Sequence, residues 1–179
     1  TYAADFMLQH KKDWCKDNDV HIYKCDICDS FSIEGIIQQE NIDTIVHFAA
    51  ESHVDNSISG PNVFFQTNVI GTTTLLNIAN KYDLRFHNIG TDEVYGETSP
   101  TYWLDLEKSL ALCNMNDLKN VPVIPSSPYS SSKASADLIV LSYCRTFGTK
   151  ATLSRCTNNF GKYQHPEKLI GTVISKILK

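Results

Sequence analysis

The stretch Ile42 to Ala50 (I-D-T-I-V-H-F-A-A) limits the fold more than any other in the chain. It carries apolar residues at both odd and even positions, so both faces of a strand formed there must be covered. Strands of that kind lie inside parallel sheets, whose helices pack on the two faces. A parallel neighbour needs a crossover of a dozen residues or more, usually helical. The chain supplies such crossovers repeatedly. Strands are predicted at His21 to Cys25, Ile42 to Ala50, Arg85 to Gly90 and Ala151 to Cys156. Between them, helices are predicted over Phe31 to Glu40 (Ser30 as N-cap), Pro61 to Tyr82 and Ser130 to Phe147, with Glu167 to Lys179 following. Pro61 suits a first helical turn, and Gly148 suits a C-terminal cap. Val63, Phe64, Thr67, Ile70, Leu75 and Ile78 mark the inward side of the long helix. Glu97 to Ser127, bounded by prolines, reads as a long loop with a short helix around Asp105 to Cys113. The predicted class is α/β, a doubly wound parallel sheet.

Composition narrows the function classes. The 179 residues hold 16 Lys+Arg against 20 Asp+Glu, a net charge of −4, which disfavours a broad nucleic-acid face. No basic segment followed by an apolar one opens the chain, and Asn56 to Asn80 is too polar to span a bilayer. Neither a signal peptide nor a membrane partner is therefore expected. Of the six cysteines only Cys25 and Cys28 are close, and no second pair completes a zinc site, so no metal is expected. Reduced, structural thiols in a cytoplasmic protein fit that usage.

Three polar clusters carry the chemistry. Tyr129 and Lys133 stand four apart on one helix face, where an ammonium can stabilise a phenolate and make Tyr129 a general base. Alone, the spacing also describes an ordinary exposed helix pair. Thr91-Asp92-Glu93 follows a predicted strand, and two carboxylates can divide acid and base roles if their environments differ. Alone, it is a polar turn. Ala49-Ala50-Glu51-Ser52-His53 follows another strand, where His53 is either a ligand contact or a plain loop residue. Both strand-end clusters would gather at the carboxyl rim of the sheet, where ligands bind in doubly wound folds, and the Tyr129 helix starts beside them.

These residues stand in longer motifs: H-F-A-A-E-S-H-V-D (His47 to Asp55), T-N-V-I-G-T (Thr67 to Thr72) and T-D-E-V-Y-G (Thr91 to Gly96). P-S-S-P-Y-S-S-S-K-A-S-A-D (Pro125 to Asp137) and R-C-T-N-N-F-G-K-Y-Q-H-P-E-K-L-I (Arg155 to Ile170) complete the set. Together they resemble the extended short-chain dehydrogenase/reductase superfamily, and within it the nucleotide-sugar 4,6-dehydratases, above all the branch acting on dTDP-glucose.

The resemblance implies a Rossmann-like NAD-binding domain, partial over residues 1–160, with a sugar-nucleotide region beginning at 161–179. It implies oxidation at C4 of the sugar, elimination of water across C5 and C6, and return of hydride to C6. Catalytic roles then fall to Thr91, Asp92, Glu93, Tyr129 and Lys133. NAD contacts fall to Thr1, Asp26, Ile27, Phe48, Ala49, Ala50, Glu51, Ser52, Thr67, Tyr129, Lys133 and Asn159. Ser52, Thr91, Asn158, Lys168 and Leu169 would face the nucleotide sugar, dTDP-glucose or UDP-glucose. A homodimer is implied for the full-length protein.

The sequence departs from the family pattern in places. Gly90 replaces a usual Ser, Phe160 a usual Tyr, and Lys162, His165 and Gly171 replace Pro, an aromatic and Pro. None of the eight glycines forms the dinucleotide fingerprint, so the first strands and the glycine-rich loop are expected to lie outside this chain. Other readings stay open from the sequence: an epimerase or decarboxylase acting on UDP-sugars, or a short binding module without catalysis.

Overall fold

The computed structural model describes residues 20–96, 122–161, 164–166 and 168–178. They fall into two compact units, Cys25–Thr157 and a smaller one made of residues 20–24 and those from Asn158 onward. In the larger unit, β1 (Thr44–His47), β2 (Arg85–Thr91) and β3 (Ala151–Cys156) form a parallel sheet in that spatial order. Pairing runs from Thr44↔Arg85 to His47↔Asn88 and from Phe86↔Ala151 to Thr91↔Cys156. Thr91 and Cys156 therefore finish level with one another. The class read from the sequence, α/β with a parallel sheet, is the one observed.

The crossovers form for local reasons. Helix α1 (Ser30–Gln39) starts one residue earlier than predicted, capped not by Ser30 but by Asp29, whose side chain accepts from the Ser32 amide at 3.2 Å. A short helix, α2 (Val54–Ser59), which the sequence did not signal, precedes Gly60. Helix α5 (Pro128–Phe147) opens with a capping box in which Ser127 and Ser130 each bond the other's backbone amide. It ends where Gly148 turns left-handed at φ 69°.

The helix predicted over Pro61 to Tyr82 is one rod with a defect inside. It is built from α3 (Pro61–Phe65), a π-helical turn (Gln66–Gly71) and α4 (Thr72–Lys81). The wider turn rotates the inward face. Phe64, Leu75 and Ile78 are buried as predicted, but Val63 and Ile70 are 51% and 49% exposed, while Asn68 is fully buried. The strand predicted at His21 to Cys25 does not form, because a strand exists only through a ladder and the described sheet pairs β1, β2 and β3 alone. The predicted helix at Asp105 to Cys113 lies outside the described residues.

Leu75, Leu76, Ile78 and Ala79 of α4, Val140 of α5, Ile37 of α1 and Phe86 of β2 form the main core. Each large side chain withdrawn there contributes roughly 1.5–3 kcal/mol. This packing fixes α5 across the sheet and so sets the height of Tyr129 and Lys133. Helix α6 (Leu169–Ile177) belongs to the smaller unit. Among the described residues no helix is long and apolar enough to cross a membrane.

Candidate active site

Thr91 is the last residue of β2, and the chain turns at once into a 3-10 turn, Asp92–Tyr95. The Thr91 hydroxyl caps that turn, accepting from the Glu93 amide at 3.3 Å. Asp92 and Glu93 are therefore the first residues off the strand, half-buried at the carboxyl rim. Tyr129 sits in the first turn of α5, 8% exposed, with its ring edge-on to Phe64 at 6.3 Å. Its phenol faces the Thr91 hydroxyl, which favours the ionised form. The two sequence motifs, separated by a segment outside the described residues, thus meet at one point.

The electrostatics of that point differ from the simplest expectation. Burial, and then the Glu93 carboxylate, push the Tyr129 phenol up to about 12, against the Thr91 hydroxyl that lowers it. Cys156 and Asp92 add smaller pushes in the same direction. Lys133 is 5% exposed, and its ammonium donates to the Ile89 carbonyl at 2.7 Å. Burial lowers its proton affinity, while Asp137 and Cys156 raise it. In this state Lys133 anchors α5 to β2, and Tyr129 keeps its proton.

The loop after β1 is held from behind. Asn68, carried inward by the π-helical turn, accepts from the Glu51 amide at 2.9 Å and donates to the Glu51 carbonyl at 3.0 Å. It also donates to Ser132 Oγ at 2.9 Å, and Ser132 donates to the Tyr129 carbonyl at 2.7 Å. The loop and α5 are thus tied through one amide. Below it, Thr72 donates its hydroxyl proton to the Asn68 carbonyl at 2.6 Å. His47 Nε2, 3.0 Å from that hydroxyl, must then be the donor, which fixes a neutral tautomer. Burial, aided by Lys133, drives the His47 imidazole down to about 4.

Of the residues assigned to a dinucleotide, Thr67 and Ile27 meet at the π-helical turn and Glu51 is bonded to Asn68 of it. Thr67 lies within it, Ile27 packs over Gly71, and Asp26 orders its own loop by accepting from the Cys28 amide at 2.8 Å. A Cβ at Gly71 would overlap the end of the Ile27 side chain, which would have to turn aside to admit it. Phe48 stands 72% exposed past β1, with Ala49, Ala50, Glu51 and Ser52 half-buried behind it. An exposed aromatic face above a pinned backbone loop at the strand ends suits a flat, extended ligand. Asn158, Asn159, Lys168 and Leu169 belong to the smaller unit. There the Asn159 carbonyl accepts from Gln164 Nε2 at 2.7 Å, and Leu169, 76% exposed, begins α6 after Lys168. Thr1 lies outside the described residues.

A family model described as GDP-mannose 4,6 dehydratase matches residues 5–179. The chain belongs to this family. It is similar to a dTDP-glucose 4,6-dehydratase of Salmonella typhimurium, 41% identical over 189 residues, covering all of this chain and 51% of the relative. A Mycobacterium tuberculosis protein of the same description is 41% identical over 159 residues, covering 89% of this chain and 44% of that one. The chain thus spans about half the length of the curated relatives it matches. Among solved structures, a Bacillus anthracis dTDP-glucose 4,6-dehydratase in complex with NAD superposes with a TM-score of 0.77 at 37% identity, over 96% of this chain and 48% of that one. A Streptomyces venezuelae enzyme of the same name, with NAD bound, gives 0.78 at 38%, over the same shares. The Rossmann-type architecture of the family accounts for the parallel sheet.

Sequence reasoning missed Asn68, His47, Tyr95, Asp137 and Arg155 as parts of the site. Only Asp137 left a signal, because it continues the four-residue steps from Tyr129 and Lys133.

Proposed function

We propose that the full-length protein carrying this chain is an NAD-dependent nucleotide-sugar 4,6-dehydratase. It would convert dTDP-glucose to the 4-keto-6-deoxy product, working as a homodimer in the cytoplasm. Residues 1–160 would be part of its NAD-binding domain, and 161–179 the start of its sugar-nucleotide region. The observation that carries the reading is the Tyr129 phenol facing Thr91, with Asp92 and Glu93 on the adjoining turn. An epimerase needs the first feature and has no use for two carboxylates beside it.

Asp26, Ile27, Phe48 to Ser52 and Thr67 would hold NAD along the strand ends, joined by Asn159, Tyr129 and Lys133. The chemistry a bound NAD supplies is acceptance of hydride from C4 of the sugar and its later return to C6. Thr91 would orient the 4-hydroxyl, and Tyr129 Oη would take its proton. With a raised proton affinity, Tyr129 binds that proton firmly once its phenolate has formed, and a positive charge brought beside it favours the phenolate. The new ketone acidifies the C5 hydrogen, which Glu93 would remove. Asp92 would protonate the C6 hydroxyl as it leaves as water. Ser52, Asn158, Lys168 and Leu169 would contact the nucleotide sugar.

Full-length protein incubated with dTDP-glucose should form the 4-keto-6-deoxy sugar, seen by its keto absorbance and by mass. UDP-glucose serves as the comparison substrate. Formation of no keto product from either sugar would remove the assignment. Glu93→Gln should still oxidise C4, leaving reduced cofactor on the enzyme, while elimination falls by roughly 10²–10⁴ as general-base losses do. Equal loss of both steps would contradict Glu93 as the C5 base.

A further inference from the structure

Beneath the site lies a charged cluster for which this reaction has no evident use. Asp137 follows Lys133 by one helical turn on the same face of α5. Its Oδ2 accepts from Arg155 Nε at 2.8 Å, and its Oδ1 accepts from Asn88 Nδ2 at 3.0 Å. The Asp137 and Arg155 side chains are only 1% and 8% exposed. Arg155 reaches further. Its Nη1 donates to Tyr95 Oη at 2.8 Å, and the guanidinium lies 5.0 Å from the centre of the Tyr95 ring. Tyr95 closes the 3-10 turn that Asp92 and Glu93 open. One bonded path therefore runs from the catalytic helix through β3 to the acidic turn.

Stability alone does not account for such a pair, since apolar side chains of equal volume often hold a core as well. The backbone is also shaped around it. A Cβ on Gly90 would lie 2.7 Å from the Ser154 carbonyl and 3.1 Å from Asp137 Oδ1, so β2 has closed onto the carboxylate. Lys133 faces Asp137 on its own helix, Cys156 on β3 and His47 on β1. Of these, Asp137 favours its charged form most. Burial raises the Asp137 carboxyl itself, while Arg155, Lys133 and Asn88 pull it down. The pair keeps Arg155 above its ordinary value, and the short Nε–Oδ2 contact fits an ionised carboxylate. Tyr129 faces Thr91 on β2, Glu93 and Asp92 on the turn, and Cys156 on β3.

We propose that Asp137 is a positioning residue with two tasks: it is the buried counter-charge that keeps Lys133 an ammonium, and through Arg155 and Tyr95 it holds the Asp92–Glu93 turn against Tyr129. The catalytic meaning of both tasks rests on the dehydratase reading. Their physical content does not, and the test is chosen accordingly.

In the full-length protein, Asp137→Asn and Arg155→Gln made together remove both charges and leave neither one buried alone. The carbon-13 shift of the Lys133 ε-carbon, assigned with Lys133→Arg, then reports its titration. The midpoint should fall by at least about one pH unit, a tenfold loss of proton affinity. Asp137→Glu should restore it. An unchanged midpoint overturns the first task. Tyr95→Phe keeps the ring and removes only the bond to Arg155. The phenolate absorbance of Tyr129, taken as the difference from Tyr129→Phe, should then titrate closer to the ordinary tyrosine value as Glu93 moves away. A midpoint equal to wild type overturns the second task, and Tyr95→Phe is mild enough to fold. Neither readout needs turnover. Absence of keto-sugar product from wild type would sink the dehydratase reading and leave this decision intact.

Discussion

Helices α5 and α6 differ in a direction opposite to their polarity. Helix α5 carries five serines, a lysine and an aspartate, yet it buries Ser130, Ser132, Lys133 and Asp137 along with Tyr129, Ala134, Ala136 and Val140. Helix α6, L-I-G-T-V-I-S-K-I, buries none of its residues, and Leu169, Val173, Ile174 and Ile177 are 76%, 45%, 50% and 75% exposed. Burial is thus decided by what surrounds a helix and not by its own hydrophobicity. The polar groups of α5 can go inside because each has a partner: Asn68 for Ser132, the Ile89 carbonyl for Lys133, Arg155 for Asp137.

The largest test of this contrast is to break one partnership. Asp137→Asn alone leaves the Arg155 guanidinium buried without its carboxylate and should cost about 3–5 kcal/mol in urea unfolding. A loss below about 1 kcal/mol would mean that solvent reaches the pair. Next comes His47, 3% exposed on β1 and neutral against Lys133 and Thr72. Its folded value of about 4 lies below the ordinary 6.5, so the unfolded chain binds a proton between those pH values and the folded chain does not. Stability should be full above pH 6.5 and decline towards pH 4, by an order of about 3 kcal/mol from this group. His47→Gln should flatten that decline in a pH series of unfolding midpoints.

A smaller effect is expected at the start of α5. Ser127→Ala removes half of the capping box and should cost about 1 kcal/mol, read from the same unfolding curves. The smallest belongs to α6. Val173→Ala should change stability by no more than about 0.5 kcal/mol, as surface substitutions do. A loss above about 1.5 kcal/mol in the full-length protein would show that another part of that protein covers this face, and would bring the two helices into line.

Legibility followed how local each signal is. Strand β3 matches its predicted bounds, and α5 ends at Gly148 as read, because periodicity, caps and a left-handed glycine are set by neighbouring residues. The π-helical turn was illegible. Nothing in Q-T-N-V-I-G announces an extra residue per turn, and the misjudged inward position at Ile70 lies within it. The strand at His21 to Cys25 failed for a related reason, since its sequence fits a ladder but ladders need a second strand.

The site divides along the same line. Thr91, Asp92, Glu93, Tyr129 and Lys133 were singled out because their types and spacings carry chemistry. The sequence by itself determined the parallel α/β class, the strand ends that present polar clusters and the helix that pairs Tyr129 with Lys133. Only the tertiary structure decided that Tyr129 faces Thr91, that Lys133 is spent on Ile89, and that Asp137, Arg155, Asn68 and His47 stand behind them. Propensity and spacing act within a few residues, whereas burial and charge depend on groups tens of residues away that only packing brings together.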